Sequence, residues 1–197
     1  MNEESSSLLK EQAVADRAAF GFWIYLLTDL IVFTVLFAAY AVLRGNTFGG
    51  PTAQELFSLP SALAETLILL TSSFACGLAM IAVRAGRRGW ATVGFGVTFA
   101  LGATFLVLEL GEFGRMVAEG AGWQRSGFLS SFFALVGTHG LHIAVGLLWI
   151  AIAMFHIWLR GLSPRTVSKL ERFALFWHFL DVVWIFIFTI VYLMAHV

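Results

Sequence analysis

Charge is scarce in this chain. Lysine, arginine, aspartate and glutamate make up 12% of its 197 residues, while 59% are hydrophobic. A soluble domain carries about twice that charge, so the balance excludes a soluble globule and selects a membrane protein. The twelve basic and twelve acidic side chains cancel. No basic field is left to attract nucleic acid, and no RNA- or DNA-binding motif is present. Cysteine is nearly absent as well. Cys76 stands alone inside an apolar run, so it forms neither an intrachain disulfide nor a thiolate metal cage and reads as a small packing residue. The first 19 residues are polar and mixed in charge. They lack the basic lead into a short apolar core that marks a cleaved signal peptide, so the first apolar run serves as an uncleaved anchor. Lipidation motifs, internal repeats and low-complexity tracts are also missing.

What the chain has is long apolar runs. Five of them, at 20–43, 59–83, 90–110, 128–159 and 173–195, reach the ~20 residues that a helix needs to cross a bilayer. Each must be helical, because hydrocarbon offers an open backbone no partner. The expected fold is therefore an all-α membrane protein, a bundle of five transmembrane helices over 20–197 preceded by a polar arm over 1–19. The connections are short, with a turn signal at Gly49-Gly50-Pro51 and a tight basic loop around Arg87 and Arg88. Of the twelve basic residues, Lys10, Arg17, Arg84, Arg87, Arg88, Arg160, Arg165, Lys169 and Arg172 fall on one side. Arg44, Arg115 and Arg125 fall on the other. The positive-inside rule then places the N-terminus in the cytoplasm and the C-terminus in the periplasm of a bacterial inner membrane, with Trp23, Trp90 and Trp158 near the inner interface.

Against this apolar background the ionisable residues stand out. An aspartate in mid-helix costs roughly 3 kcal/mol on insertion scales, so it needs a partner or a task. Depth along the helices sorts these residues into two expected clusters: Asp29 with His178 and Asp181, and Glu65 with Glu109, Glu112, His139 and His142. His178 and Asp181, three residues apart, share a helical face. One reading makes them pins that fix helix register, helped by the small residues of Gly94-x-x-x-Thr98-x-x-x-Gly102 and Gly140-x-x-x-Ala144. Another makes the carboxylates functional. A third is a metal site, since Glu109-x-x-Glu112, His139-x-x-His142 and His178-x-x-Asp181 each put two ligand types on one face. The spread in depth argues against one metal centre collecting them, although Glu65 with the two histidines of the fourth run remains open. Haem between His142 and His178 is a forced alternative. His156 and His196 read as interfacial. Arg84, Arg160 and Arg172 are placed to reach phospholipid phosphates.

Four segments occur in a telling order: Phe20-Gly21-Phe22-Trp23 leading to Asp29, Glu109-x-x-Glu112, Gly137-Thr138-His139-Gly140-Leu141-His142, and Phe176-Trp177-His178-Phe179-Leu180-Asp181-Val182-Val183-Trp184. Together they resemble subunit III of the haem–copper respiratory oxidases. The five-helix count and the stretch from Ser126-Gly127-Phe128-Leu129-Ser130 through Phe132 to Gly137 are similar to the cytochrome bo-type ubiquinol oxidase branch. Asp29 stands where those relatives usually carry Glu. The resemblance implies a non-catalytic subunit that binds no haem or copper of its own. Those centres would belong to subunit I, the main partner, with subunits II and IV in the same complex. It also implies ordered phospholipid, support of proton uptake, and protection of the oxidase during turnover. Subunit III of a cytochrome c oxidase, a stand-alone metal-dependent membrane oxidase and a small transporter or proton channel are the competing readings. Neither inverted repeats nor broken midplane helices favour the last of these.

Overall fold

The computed structural model describes residues 3–196, with side chains described from Arg17 onward. Met1, Asn2, Val197 and the side chain of Lys10 therefore lie outside the described residues. All regular structure among the described residues is helical: α1 (Glu3–Leu43), α2 (Ala53–Leu56), α3 (Leu59–Arg84), α4 (Arg88–Ala118), α5 (Gly127–Arg160), and α6 (Pro164–Ile187) continued by a π-helical turn, Phe188–Leu193. Five of these helices are long and apolar enough to cross a membrane, the first of them over Arg17–Leu43. The polar arm is not set off by a break in the backbone. Helix α1 begins at Glu3 and only its polarity changes on entering the span.

Two spans differ from their apolar runs. The run at 90–110 belongs to a helix that continues to Ala118, because Glu112 and Met116 beyond it still face the bundle and are buried. The run at 173–195 belongs to a helix that starts nine residues earlier, at Pro164. Ser163 caps it, its hydroxyl oxygen accepting from the Thr166 amide at 3.3 Å, and proline suits the first turn, where no amide partner is needed. The connections close tightly. After α3 and α4, Gly86 and Gly120 adopt φ of +68° and +79°, and each turn makes the paired backbone bonds of a Schellman cap, Arg87 N to Ala82 O and Ala121 N to Met116 O. The loop carrying Gly49-Gly50-Pro51 turns with Gly50 N bonded to Thr47 O. It then enters α2, where the Glu55 carboxylate accepts from the Thr52 amide at 2.9 Å.

Helices α3, α4, α5 and α6 form a ring, each packing on the next and α6 closing back on α3, while α1 lies outside against α5 and α6. The ring is filled from α6. Trp177 and Trp184, seven residues apart, point along one stripe into its centre and are fully buried. Glycines make room for the first: a Cβ added at Gly102 of α4 or at Gly146 of α5 would stand 2.7 or 2.8 Å from the Trp177 ring. The indole Nε1 donates to Ser72 Oγ at 3.2 Å, and Ser72 in turn donates to the Thr98 carbonyl at 3.0 Å, so one chain of bonds joins α6, α3 and α4. Trp184 donates to Thr66 Oγ1 at 3.0 Å and meets Phe105 edge to face. The expected small-residue contacts hold in α4, where Gly94 abuts Ala79. In α5 they do not: a Cβ at Gly140 would meet only Leu106, at 3.8 Å. The close approach is at Gly146 instead, because the bulky partner is an indole one and a half turns further along.

Replacing Gly102 or Gly146 with valine should therefore destabilise the bundle by roughly 1–3 kcal/mol through overpacking. Gly96→Ala, where an added Cβ meets nothing within 4 Å, should leave stability unchanged or raise it by up to about 1 kcal/mol. Thermal unfolding of the purified variants in detergent measures both.

Candidate functional site

The intramembrane ionisable residues occupy three places. The first lies between α1 and α5 at mid-span. Asp29 Oδ2 stands 3.6 Å from His142 Nε2, with both side chains largely buried. His142 Nδ1–H donates to the Thr138 carbonyl at 2.7 Å, which fixes the ring and aims Nε2 at the carboxylate. Phe33, one turn beyond Asp29, packs against the same imidazole at 5.3 Å between ring centres. At 3.6 Å the two atoms are in contact but too far apart for a close hydrogen bond. Asp29 Oδ2 has no hydrogen-bond partner among the described residues, while the Tyr25 hydroxyl of the same helix lies within hydrogen-bonding reach of the carboxylate.

The second place lies on the opposite seam, between α3 and α6. His178 Nδ1 is 2.6 Å from Ser73 Oγ, and the Asp181 carboxylate lies within hydrogen-bonding reach of the same Ser73 and close to His178, although its Oδ1 has no hydrogen-bond partner among the described residues. The cluster expected from Asp29, His178 and Asp181 is therefore divided. Depth matched, but depth says nothing about azimuth: the face of α6 that carries His178 and Asp181 turns toward α3, while Asp29 faces α5. Ser73 had been overlooked. The polar trio Thr71-Ser72-Ser73 in the middle of an apolar run was the available signal, since two of its hydroxyls serve α6 and the third serves its own helix at Leu67 O.

The third place is the end of the ring nearest the α4–α5 turn. Glu65 of α3 and Glu109 of α4 are both 1% exposed, and Glu112 lies close enough to couple to each of them. The Glu109 carboxyl lies within hydrogen-bonding reach of Glu65, and neither of its oxygens meets another donor group among the described residues. Arg115, one turn on, reaches Glu112 at 4.0 Å from the surface. The π-helical turn brings in a residue that sequence reasoning missed: the buried hydroxyl of Tyr192 has no hydrogen-bond partner among the described residues and sits within electrostatic reach of all three glutamates. A π turn shows no periodicity that could announce it, but such turns gather at special sites. The histidines expected here do not join. His142 belongs to Asp29. His139 stacks on Trp184 at 5.3 Å with Phe105 against its edge, and neither of its ring nitrogens makes a hydrogen bond among the described residues.

Among the described residues, no three His, Cys, Asp or Glu side chains converge as metal ligands. At the basic end of the bundle, Arg84 reaches Glu171 at 3.8 Å, Arg172 donates to Ser168 Oγ at 3.0 Å, and Arg160 is exposed. The new pairing makes a direct prediction. Asp29→Asn and His142→Gln should each cost about 1 kcal/mol of bundle stability, the range of intramembrane polar contacts, and their double mutant should cost less than the sum. Asp29→Asn with His178→Gln should be additive. Double-mutant cycles on thermal unfolding read both, and coupling of Asp29 to His178 alone would contradict the geometry.

Comparison with known proteins agrees with this architecture. The family model described as cytochrome c oxidase subunit III matches residues 1–196. A subunit 3 of the cytochrome bo(3) ubiquinol oxidase of Pseudomonas aeruginosa is 53% identical over 91% of this chain and 86% of the relative. A quinol oxidase subunit 3 of Bacillus subtilis is 45% identical over 89% of this chain and 86% of its own length. A cytochrome c oxidase subunit 3 of a Bacillus species is also 45% identical, over 90% of this chain and 86% of its own length. With five membrane-length helices and a match running from end to end, the chain belongs to the cytochrome c oxidase subunit III family.

Proposed function

We propose that this chain is the subunit III of a proton-pumping quinol oxidase in a bacterial inner membrane. It carries no redox centre itself and braces a subunit I that holds the haem and copper, with subunits II and IV in the same complex. The observation that carries this reading is the 53% identity to the Pseudomonas aeruginosa ubiquinol oxidase subunit over nearly the whole chain. The side chains support it: their polar groups tie helices to one another, as a scaffold requires. The Asp29–His142 pair holds the outer helix α1 onto the ring, and phospholipid acyl chains lie along the exposed apolar face of α1. Arg84, Arg160 and Arg172 take the phosphates at the cytoplasmic surface. By keeping this flank of the oxidase ordered, the pair supports proton uptake and protects the complex while it turns over.

A second reading, subunit III of a cytochrome c oxidase, is favoured by the equal 45% identities to relatives named for quinol and for cytochrome c. Purifying the complex through a tag on this chain and offering it each donor separates the two. Quinol oxidation without cytochrome c oxidation is expected. In that complex Asp29→Ala should leave the haem spectrum intact and shorten the lifetime of activity during turnover several-fold. Decay at the wild-type rate would remove the protective role.

The orientation has its own test. Gly122 and Arg87 lie in turns at opposite ends of the bundle, and an added Cβ at Gly122 meets nothing within 4 Å. A membrane-impermeant maleimide applied to spheroplasts should label Gly122→Cys and spare Arg87→Cys until the cells are opened. The native Cys76 is buried and contributes no background.

A further inference from the structure

The α3–α6 seam holds polar groups that this chain does not satisfy. A groove of about 440 Å³ runs along it, open on its outer side and lined by Leu70, Ser73, Phe74, Gly77, Leu78, Ile81, His178 and Asp181. Asp181 is only 8% exposed, yet its Oδ1 has no partner among the described residues. His178 spends Nδ1 on Ser73 and is otherwise turned outward. Both sit in the middle of their helix. Ser73 lies fourteen residues from the start of α3 and eleven from its end, which is about 21 and 16 Å of helix. At that depth an imidazole and a carboxylate facing lipid cost several kcal/mol.

The same seam offers a place for a backbone to come close. Ser73-x-x-x-Gly77 is a small-xxx-small pair, the spacing that lets transmembrane helices approach. Within this chain it is unused at Gly77, where an added Cβ would meet nothing within 4 Å. Phe74, Leu78 and Ile81 rise on its outer side, each more than half exposed, as ridges beside a notch. The contrast with Gly94, Gly102 and Gly146, which abut a residue of a neighbouring helix in this chain, sets Gly77 apart.

We propose that this groove seats a transmembrane helix of another subunit of the oxidase. That helix lays small side chains over Ser73 and Gly77 and brings a hydrogen-bond donor to Asp181. The inference rests on the function proposed above and deepens it by naming the contact face. A lipid is the poorer occupant. Its acyl chain has no donor to offer, and its headgroup stays at the edge of a hydrocarbon layer about 30 Å thick, too far from the middle of α3 to reach Asp181.

The test uses the whole complex in native membranes. Gly77→Leu fills the notch on an outward face where an added Cβ meets nothing within 4 Å, so the variant should insert and accumulate like wild type. Its recovery of the haem-bearing subunit through a tag should fall about tenfold. Val107→Phe, on the outer face of α4 at a residue 69% exposed, should recover it normally. A benzoylphenylalanine at position 77 should cross-link to a peptide of another oxidase subunit, identified by mass spectrometry. Unchanged recovery with Gly77→Leu, or adducts only with lipid or with a second copy of this chain, would overturn the proposal. Those results would leave the functional reading intact as long as the wild-type chain recovers the haem-bearing subunit. Failure of the wild type to recover it would bring down both.

Discussion

A polar group in hydrocarbon has no solvent to turn to, and this constraint organises the molecule. Hydroxyls meet it without leaving their own helix. Thr34, Thr71, Thr104 and Thr189 face outward, and each donates to the carbonyl four residues back. A carboxylate has no such recourse. It only accepts, and every amide in a helix interior is already engaged. The glutamates and aspartates must therefore find side-chain donors, on their own helix as Glu112 does in Arg115 or on another as Asp29 does in His142, or remain unmet. It is consistent with this that seven of the nine buried side-chain atoms without a hydrogen-bond partner among the described residues belong to acids or to Tyr192, and the other two to His139. Unmet groups of this kind are costly, and they persist where something beyond the single chain, or a task, offsets them.

The ring tolerates that cost because its centre is over-determined. Trp177 is fixed by two glycines that admit its ring and by a hydroxyl that receives its N–H. Trp184 is fixed by Thr66, Phe105 and His139. In a membrane, association gains nothing from hiding apolar surface, since lipid is equally apolar, so close packing and a few hydrogen bonds must supply the energy. Helix α1 has much less of either. It is the least buried of the five spans, and Asp29 with Phe33 provides the specific grip on α5. That asymmetry makes the α1 seam the part of the bundle most sensitive to a single side chain.

The number of spans, their helical nature and the identity of the polar residues were legible in the sequence, because hydropathy and charge are properties of residue type alone. Partnership was not. Asp29, His142, His178 and Asp181 all lie near mid-span, and only the rotation of each helix decides that the aspartates serve opposite seams. That rotation depends on which glycine accepts which ring. Gly140 looked like the contact point from its spacing to Ala144, whereas the position of the Trp177 indole selects Gly146. Helix ends were partly legible. The Ser163-Pro164 cap was readable in principle, but its weight was lost among the basic residues around it. The π turn that inserts Tyr192 was invisible, since one extra residue per turn leaves no trace in composition.

Equal identity to relatives named for two different electron donors has a physical counterpart in this bundle. The Asp29–His142 pair and the glutamate cluster point at neighbouring helices of their own chain, and the open groove between α3 and α6 carries the notch of Ser73 and Gly77. Selection on such a chain acts on how its seams fit one another and the subunit beside it. On the function proposed above, that fit does not depend on which donor the complex oxidises, so a single scaffold suits either chemistry.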